Sequence, residues 1–336
     1  MQQAVALAAA PPAAEKRRGS VGDLIFGGAA FASGVLVLVL LGAIIIILFV
    51  GGWPAFREFG VAFLTNATWD PVKHVFGGAV PIYGTIITSI IALLLAVPLA
   101  FGIAFYLTEL APEWFRRPVG TAIELLAAVP SIIYGMWGFF VIVPIMARTI
   151  QPPIIDSLNW LAEKTDGWPV IGWITDHLSD LFSGPPFGTG IFTASLILAV
   201  MVLPFIAATM RDVFSTVPPM FKESAYGLGC TTWEVVRSIV LPYTRTSVVG
   251  GIMLGLGRAL GETMAVTFVI GNTNRLSASL FAGGNTIASI VALEFPESQK
   301  GSLKLASLLA LGFILFVISF IVLAISRYLL RPRLKV

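Results

Sequence analysis

The sequence predicts an all-α integral membrane protein with six transmembrane helices, and three observations carry that prediction. Of its 336 residues, 57% are hydrophobic and 12% charged, against about 45–50% and about 25% in a soluble domain. The apolar residues fall in six long blocks, each able to cross a hydrocarbon core of about 30 Å as a helix. Lys and Arg are shared unequally between the alternate sides of those blocks, as membrane orientation requires.

Hydropathy over windows of about 19 residues places the spans near 24–50, 82–108, 119–147, 189–210, 246–270 and 304–326. Connections then lie at 51–81, 109–118, 148–188, 211–245 and 271–303, with no room for a soluble domain. The expected organisation is a cytoplasmic tail at 1–20, a first span with its outer loop at 21–81, a five-span core at 82–327 containing a cytoplasmic loop at 214–242, and a tail at 328–336. Ala4 to Ala10 is a short apolar run with no basic residue ahead of it and Pro11–Pro12 behind it. It makes a poor signal peptide, so the first span is expected to act as its own targeting signal.

Orientation follows from counting. With both ends cytoplasmic, 13 Lys and Arg lie inside and 7 outside, leaving Arg258 within the membrane, which supports an N-in, C-in arrangement. The basic pI of about 9.1 therefore reflects the membrane and offers no case for nucleic acid. Five tryptophans, Trp53, Trp69, Trp160, Trp168 and Trp173, fall in the outer loops. They suit anchoring in membrane lipid at the interface or contact with an extracytoplasmic partner.

Other classes drop out. The single cysteine, Cys230, forbids an internal disulfide, and His74 and His177 are isolated, so no metal site is expected. No phosphate-binding G-x-x-x-x-G-K-[ST] loop, H-E-x-x-H or G-x-S-x-G motif occurs, so neither ATP hydrolysis nor a hydrolase reaction is expected of this chain.

The most informative stretch is Val217 to Pro242. Pro218 and Pro219 suit a first helical turn, Phe221, Ala225 and Leu228 repeat at helical spacing, and Gly229 is placed for a left-handed cap. Thr231 with Glu234 three residues on has capping-box spacing, and Trp233, Val236 and Val240 form the next apolar stripe. Two short helices on the cytoplasmic side are expected, resting on lipid or on a protein.

Span five contains Arg258 and Glu262. A charge inside a membrane costs about 2.5–3.5 kcal/mol on insertion scales, so it is expected to face protein or water. The i, i+4 spacing puts the two on one helix face, within roughly 60° of Gly251 and Gly255, where a neighbouring helix can approach closely. They form either a structural ion pair or part of an anion path, in which the planar guanidinium fork suits an oxyanion. Glu124, ahead of Pro130 in span three, is a third candidate.

Several of these residues carry a resemblance. Glu223, Ala225, Gly229, Ile239, Leu241 and Pro242 match position by position the EAA loop of bacterial ABC importer permeases, with Ser224 in place of an alanine as the one departure. The segments 255–266, GLGRALGETMAV, and 124–138, ELLAAVPSIIYGMWG, resemble those of the PstC family of phosphate permeases, and the likeness covers nearly all of the chain after residue 24. The resemblance implies the type I importer permease fold, with an ABC transmembrane core at 82–327. It implies a coupling loop docking on a separate ATPase that binds ATP and Mg²⁺, and a phosphate route past Arg258, Glu262 and Glu124. The expected partners are a PstA-like permease, two PstB-like ATPase chains and a PstS-like phosphate-binding protein, and this chain itself is expected to hold no cofactor. A permease for molybdate or sulfate remains open, because a lone arginine does not select among oxyanions. An ion-coupled carrier or a purely structural membrane subunit would leave the EAA loop or the charged residues without a purpose.

Overall fold

The computed structural model describes residues 21–165, 168 and 170–329. The expected tail 1–20 and all but the start of the expected tail 328–336 lie outside them. The chain divides into two units, Met1–Ile47 and Leu48–Val336. The described part of the first is a single apolar helical stretch, and the fold of the second follows.

The elements in chain order are α1 (Val21–Phe59), α2 (Ala62–Thr65), a small antiparallel hairpin of β1 (Trp69–Asp70) and β2 (Val75–Phe76), and α3 (Ala79–Phe105). Then come α4 (Glu113–Ala127), α5 (Ser131–Trp137), α6 (Val143–Ile145), α7 (Gln151–Thr165), α8 (Ile171–Leu181) and α9 (Ile191–Ser215). The remainder are α10 (Pro219–Gly227), α11 (Thr232–Val235), α12 (Leu241–Leu260), α13 (Met264–Thr267), α14 (Ile287–Glu294) and α15 (Leu303–Leu329). Among the described residues six helices are long and apolar enough to cross a membrane: Val21–Phe59, Ala79–Leu110, Ser131–Thr165, Ile191–Ser215, Thr232–Leu260 and Leu303–Tyr328.

Four π-helical turns, Tyr106–Leu110, Gly138–Ile142, Met146–Ile150 and Val236–Val240, account for where the spans depart from expectation. Each ends two residues before a proline: Pro112, Pro144, Pro152 and Pro242. A proline lacks the N–H that an α-turn needs, and its ring crowds the carbonyl four residues back. A widened i→i+5 turn relieves that conflict without ending the helix. Span three therefore continues through Pro144 and Pro152 to Thr165 instead of stopping near 147. Span five begins at Thr232 instead of 246, so the second expected loop helix is the start of the span itself. Pro112 does end its helix, and Pro130 separates α4 from α5, so the stretch 119–147 is two helices and not one.

The core is organised on α9, the most buried of the spans. α3 lies along it through Ala92, Ala96, Ala100 and Ala104, each at most 1% exposed. Methyl groups every four residues let the two backbones approach. α12 packs on α9 through the expected glycine face: a Cβ at Gly251 would stand 2.8 Å from Thr209, and one at Gly255 2.7 Å from Ile206. The irregular segment after α13 returns to the start of α9, where Gly190, Ile191 and Phe192 donate their N–H groups to Val269, Ala282 and Leu280. These bonds satisfy donors that a helix N-terminus cannot pair internally. At the same end, Trp69 of the hairpin donates its ring N–H to Glu294, which also pairs with Lys304 at 3.0 Å.

Candidate functional site

The loop opposite that end is built by local chemistry. Pro218 caps α10 and Pro219 opens it, where a missing N–H costs nothing. At its other end Gly229 N donates to Tyr226 O at 2.9 Å and Cys230 N to Ala225 O at 3.1 Å, the two bonds of a Schellman cap. Gly229 has φ +85°, as the expected left-handed cap requires. Thr231 and Glu234 then form the expected capping box, with Thr231 N donating to the Glu234 carboxylate at 2.8 Å.

Burial divides this loop into two faces. Ala225 is 6% exposed, and Val235, Val236 and Val240 are fully buried, with Ile239 and Leu241 packed beside them. Met220, Tyr226 and Leu228 lie on the surface with Glu223, Gly229 and Pro242. Three expected stripe positions belong to that open face, Phe221, Leu228 and Trp233, the first of them 44% exposed. Leu228 is 86% exposed because α10 has already ended at Gly227. Trp233 is 51% exposed and meets Phe105 edge-on at 6.2 Å. The buried face is pinned by an ion pair that the sequence did not disclose: Lys222 Nζ lies 2.6 Å from Glu109 Oε1, and the glutamate side chain is 6% exposed. Lys222 precedes the buried Ala225 by one helical turn, and Glu109 falls in the π-turn that ends span two. This spacing was a signal, although the partner could not be read from it.

Arg258 occupies the last turn of α12. Its guanidinium stands 5.7 Å from the centre of the Phe205 ring, within cation–π range, and Phe205 sits near the middle of the 25-residue α9. The hydroxyl of Tyr134 in α5 donates to Leu126 O at 3.0 Å across the Pro130 break. The expected pairing with Glu262 does not form: no ion pair joins them among the described residues. The helix stops at Leu260, with Gly261 as its C-cap, so helical i, i+4 geometry ends before Glu262. That carboxylate instead accepts Ala265 N–H at 3.2 Å, holding the first turn of α13. Arg258 therefore stands at a broken helix near mid-bundle, its charge set against an aromatic face.

Glu124 lies elsewhere. It belongs to the amphipathic α4, ahead of the long apolar part of span three, and its carboxylate is 2.5 Å from Arg211 of α9. Arg211 also bonds Asp212 at 2.8 Å and presses against Gly120, where a Cβ would meet its Nη1. The three path candidates thus form no single cluster, with Arg258 and Glu262 at the break and Glu124 at the loop end of α9.

Comparison with known proteins gives these features a family. The model for the binding-protein-dependent transport system inner membrane component matches residues 96–336. The phosphate transport system permease protein PstC of Mesorhizobium japonicum is 55% identical over 314 residues, covering 94% of this chain and 91% of that protein. PstC of Pasteurella multocida is also 55% identical, covering 92% and 91%. A chain of a bacterial alginate ABC transporter, solved with its alginate pentasaccharide-bound periplasmic protein, has TM-score 0.52 at 18% identity, covering 92% of this chain and 98% of that one; this likeness shows the fold. The class is therefore an ABC importer permease, a multi-pass membrane protein of type I fold. Within that class, the chain belongs to the PstC family of phosphate transport system permeases.

Proposed function

We propose that this chain is the phosphate-permease subunit of an ATP-driven importer in a bacterial inner membrane, with both ends on the cytoplasmic side. A PstA-like permease completes the path, and a PstS-like binding protein delivers phosphate to the outer loops. Two PstB-like chains bind ATP and Mg²⁺ and act as the motor. This subunit performs no catalysis and holds no cofactor.

The observation that carries the reading is one continuous helix, Thr232–Leu260, about 43 Å long at 1.5 Å per residue. One end is the capped loop, where Glu223, Gly229 and Pro242 face outward for the ATPase and Ala225, Ile239 and Leu241 fix the joint to the bundle. The other end carries Arg258. When the ATPase chains close, a push on the loop moves Arg258 as part of the same rod, switching access to the path. Arg258 contacts the anion, Glu262 holds the helix break that exposes it, and Glu124 guards the exit near the loop. The relatives' phosphate transport names and the guanidinium's fit to tetrahedral oxyanions support phosphate as cargo.

The test is uptake of labelled phosphate into vesicles holding this chain with its partners. ATP-dependent uptake that excess molybdate or sulfate leaves unchanged is expected. Uptake without ATP, or uptake of molybdate or sulfate in preference to phosphate, overturns the reading.

A further inference from the structure

A charged cavity lies at the loop end of the bundle, between the π-turn after α3, α4 and the end of α9. It is lined by Thr108, Arg116, Arg117, Glu124, Arg211 and Ser215, with a volume of 390 Å³, room for roughly a dozen water-sized volumes. Three arginines and one glutamate line it, and Asp212 pairs with Arg211 beside it.

The pairing of these groups leaves charge unspent. Arg116 donates to the carbonyl of Thr108 at 2.7 Å, which orients it without neutralising it. Arg211 is shared between Glu124 and Asp212. Arg117 forms no ion pair among the described residues. The Thr108 and Ser215 hydroxyls donate back to their own helices, to Ala104 O at 2.9 Å and Arg211 O at 2.9 Å. Their lone pairs remain free to accept from a protonated oxyanion. Gly120 permits this geometry by letting Arg211 lie against α4.

We propose that this cavity binds a phosphate group through Arg116, Arg117 and Arg211, with Glu124 as the resident counter-ion that the phosphate displaces from Arg211. Three arginines lining one cavity suit a tetrahedral anion with several oxygens. The cavity lies apart from Arg258 and shares only Glu124 with the proposed path. Two sources share its chemistry: free inorganic phosphate, and the phosphate of an anionic lipid headgroup reaching a basic pocket between helices.

The test uses the assembled transporter in detergent, in an Arg258→Gln background so that the Arg258 contact does not contribute. Labelled inorganic phosphate is titrated by equilibrium dialysis, and retained phosphatidylglycerol is measured by native mass spectrometry. For whichever source binds, Arg117→Gln weakens binding about tenfold or more, the equivalent of one charge-assisted contact. Glu124→Gln, which frees Arg211, strengthens it, an effect that a purely structural role for Glu124 would not produce. Inorganic phosphate binding with this pattern assigns free phosphate, and lipid retention with this pattern assigns the headgroup. If neither ligand responds to Arg117→Gln and Glu124→Gln while the complex remains assembled, the proposal is overturned.

Discussion

The two ends of the helix Thr232–Leu260 obey different rules. At the loop end, each expected cap formed: Gly229 took its left-handed turn, and Thr231 and Glu234 closed their box. At the far end, the expected Arg258–Glu262 pair did not form, although its spacing was as regular. The caps depend on contacts within four or five residues, where sequence alone sets the geometry. The pair assumed a helix through Gly261, and a helix end depends on what packs around it. Here α13 and α5 meet at Gly135, where a Cβ would lie 3.0 Å from Ala265 Cα.

That contrast can be tested by substitution. Lys222→Met leaves Glu109 buried without its partner and is expected to destabilise the subunit by about 3 kcal/mol, seen as a lower unfolding temperature of the purified complex. Adding Glu109→Gln should recover most of the loss; no recovery would show that the pair is not what pins α10. Gly255→Val should cost about 1–3 kcal/mol by overpacking against Ile206 and Val202, again read from thermal unfolding. Equal stability would deny the close approach of α12 to α9.

Gly229→Ala should cost only about 1 kcal/mol, the penalty of a left-handed alanine, because the added methyl meets open space. ATPase activity measured beside uptake would then show whether the loop still couples. The smallest change is expected at Glu262→Gln, which keeps an oxygen acceptor for Ala265 N–H and should shift stability by less than about 0.5 kcal/mol. A larger loss would restore the ion pair with Arg258 that the geometry denies.

Much of the fold was legible because a bilayer imposes long apolar runs that composition reveals directly. Six spans were found, and the caps at Gly229 and Thr231 formed at the expected residues, whereas the second expected loop helix is the start of span five. The sequence was less informative where proline is ambiguous. Pro130 interrupts a helix, whereas Pro144, Pro152 and Pro242 sit inside continuous spans behind π-turns and Pro98 and Pro204 inside theirs without one. Lys222 and Arg211 were visible as charges expected on the cytoplasmic side, but Glu109 is 113 residues from the first and Glu124 is 87 from the second, distances that no local pattern spans. Glu124 was placed in a membrane span because Pro130 was read as a bend and not as a boundary.

The most direct test concerns Arg258 at the end of its rod. Uptake of labelled phosphate and ATP hydrolysis would be measured in the same vesicles for the intact complex and for Arg258→Gln, with assembly verified. Uptake should fall by at least about tenfold, the loss of a charge-assisted anion contact, while hydrolysis continues because the loop end is untouched. Undiminished uptake would contradict the account and leave Arg258 as a cation stacked on Phe205 for packing alone.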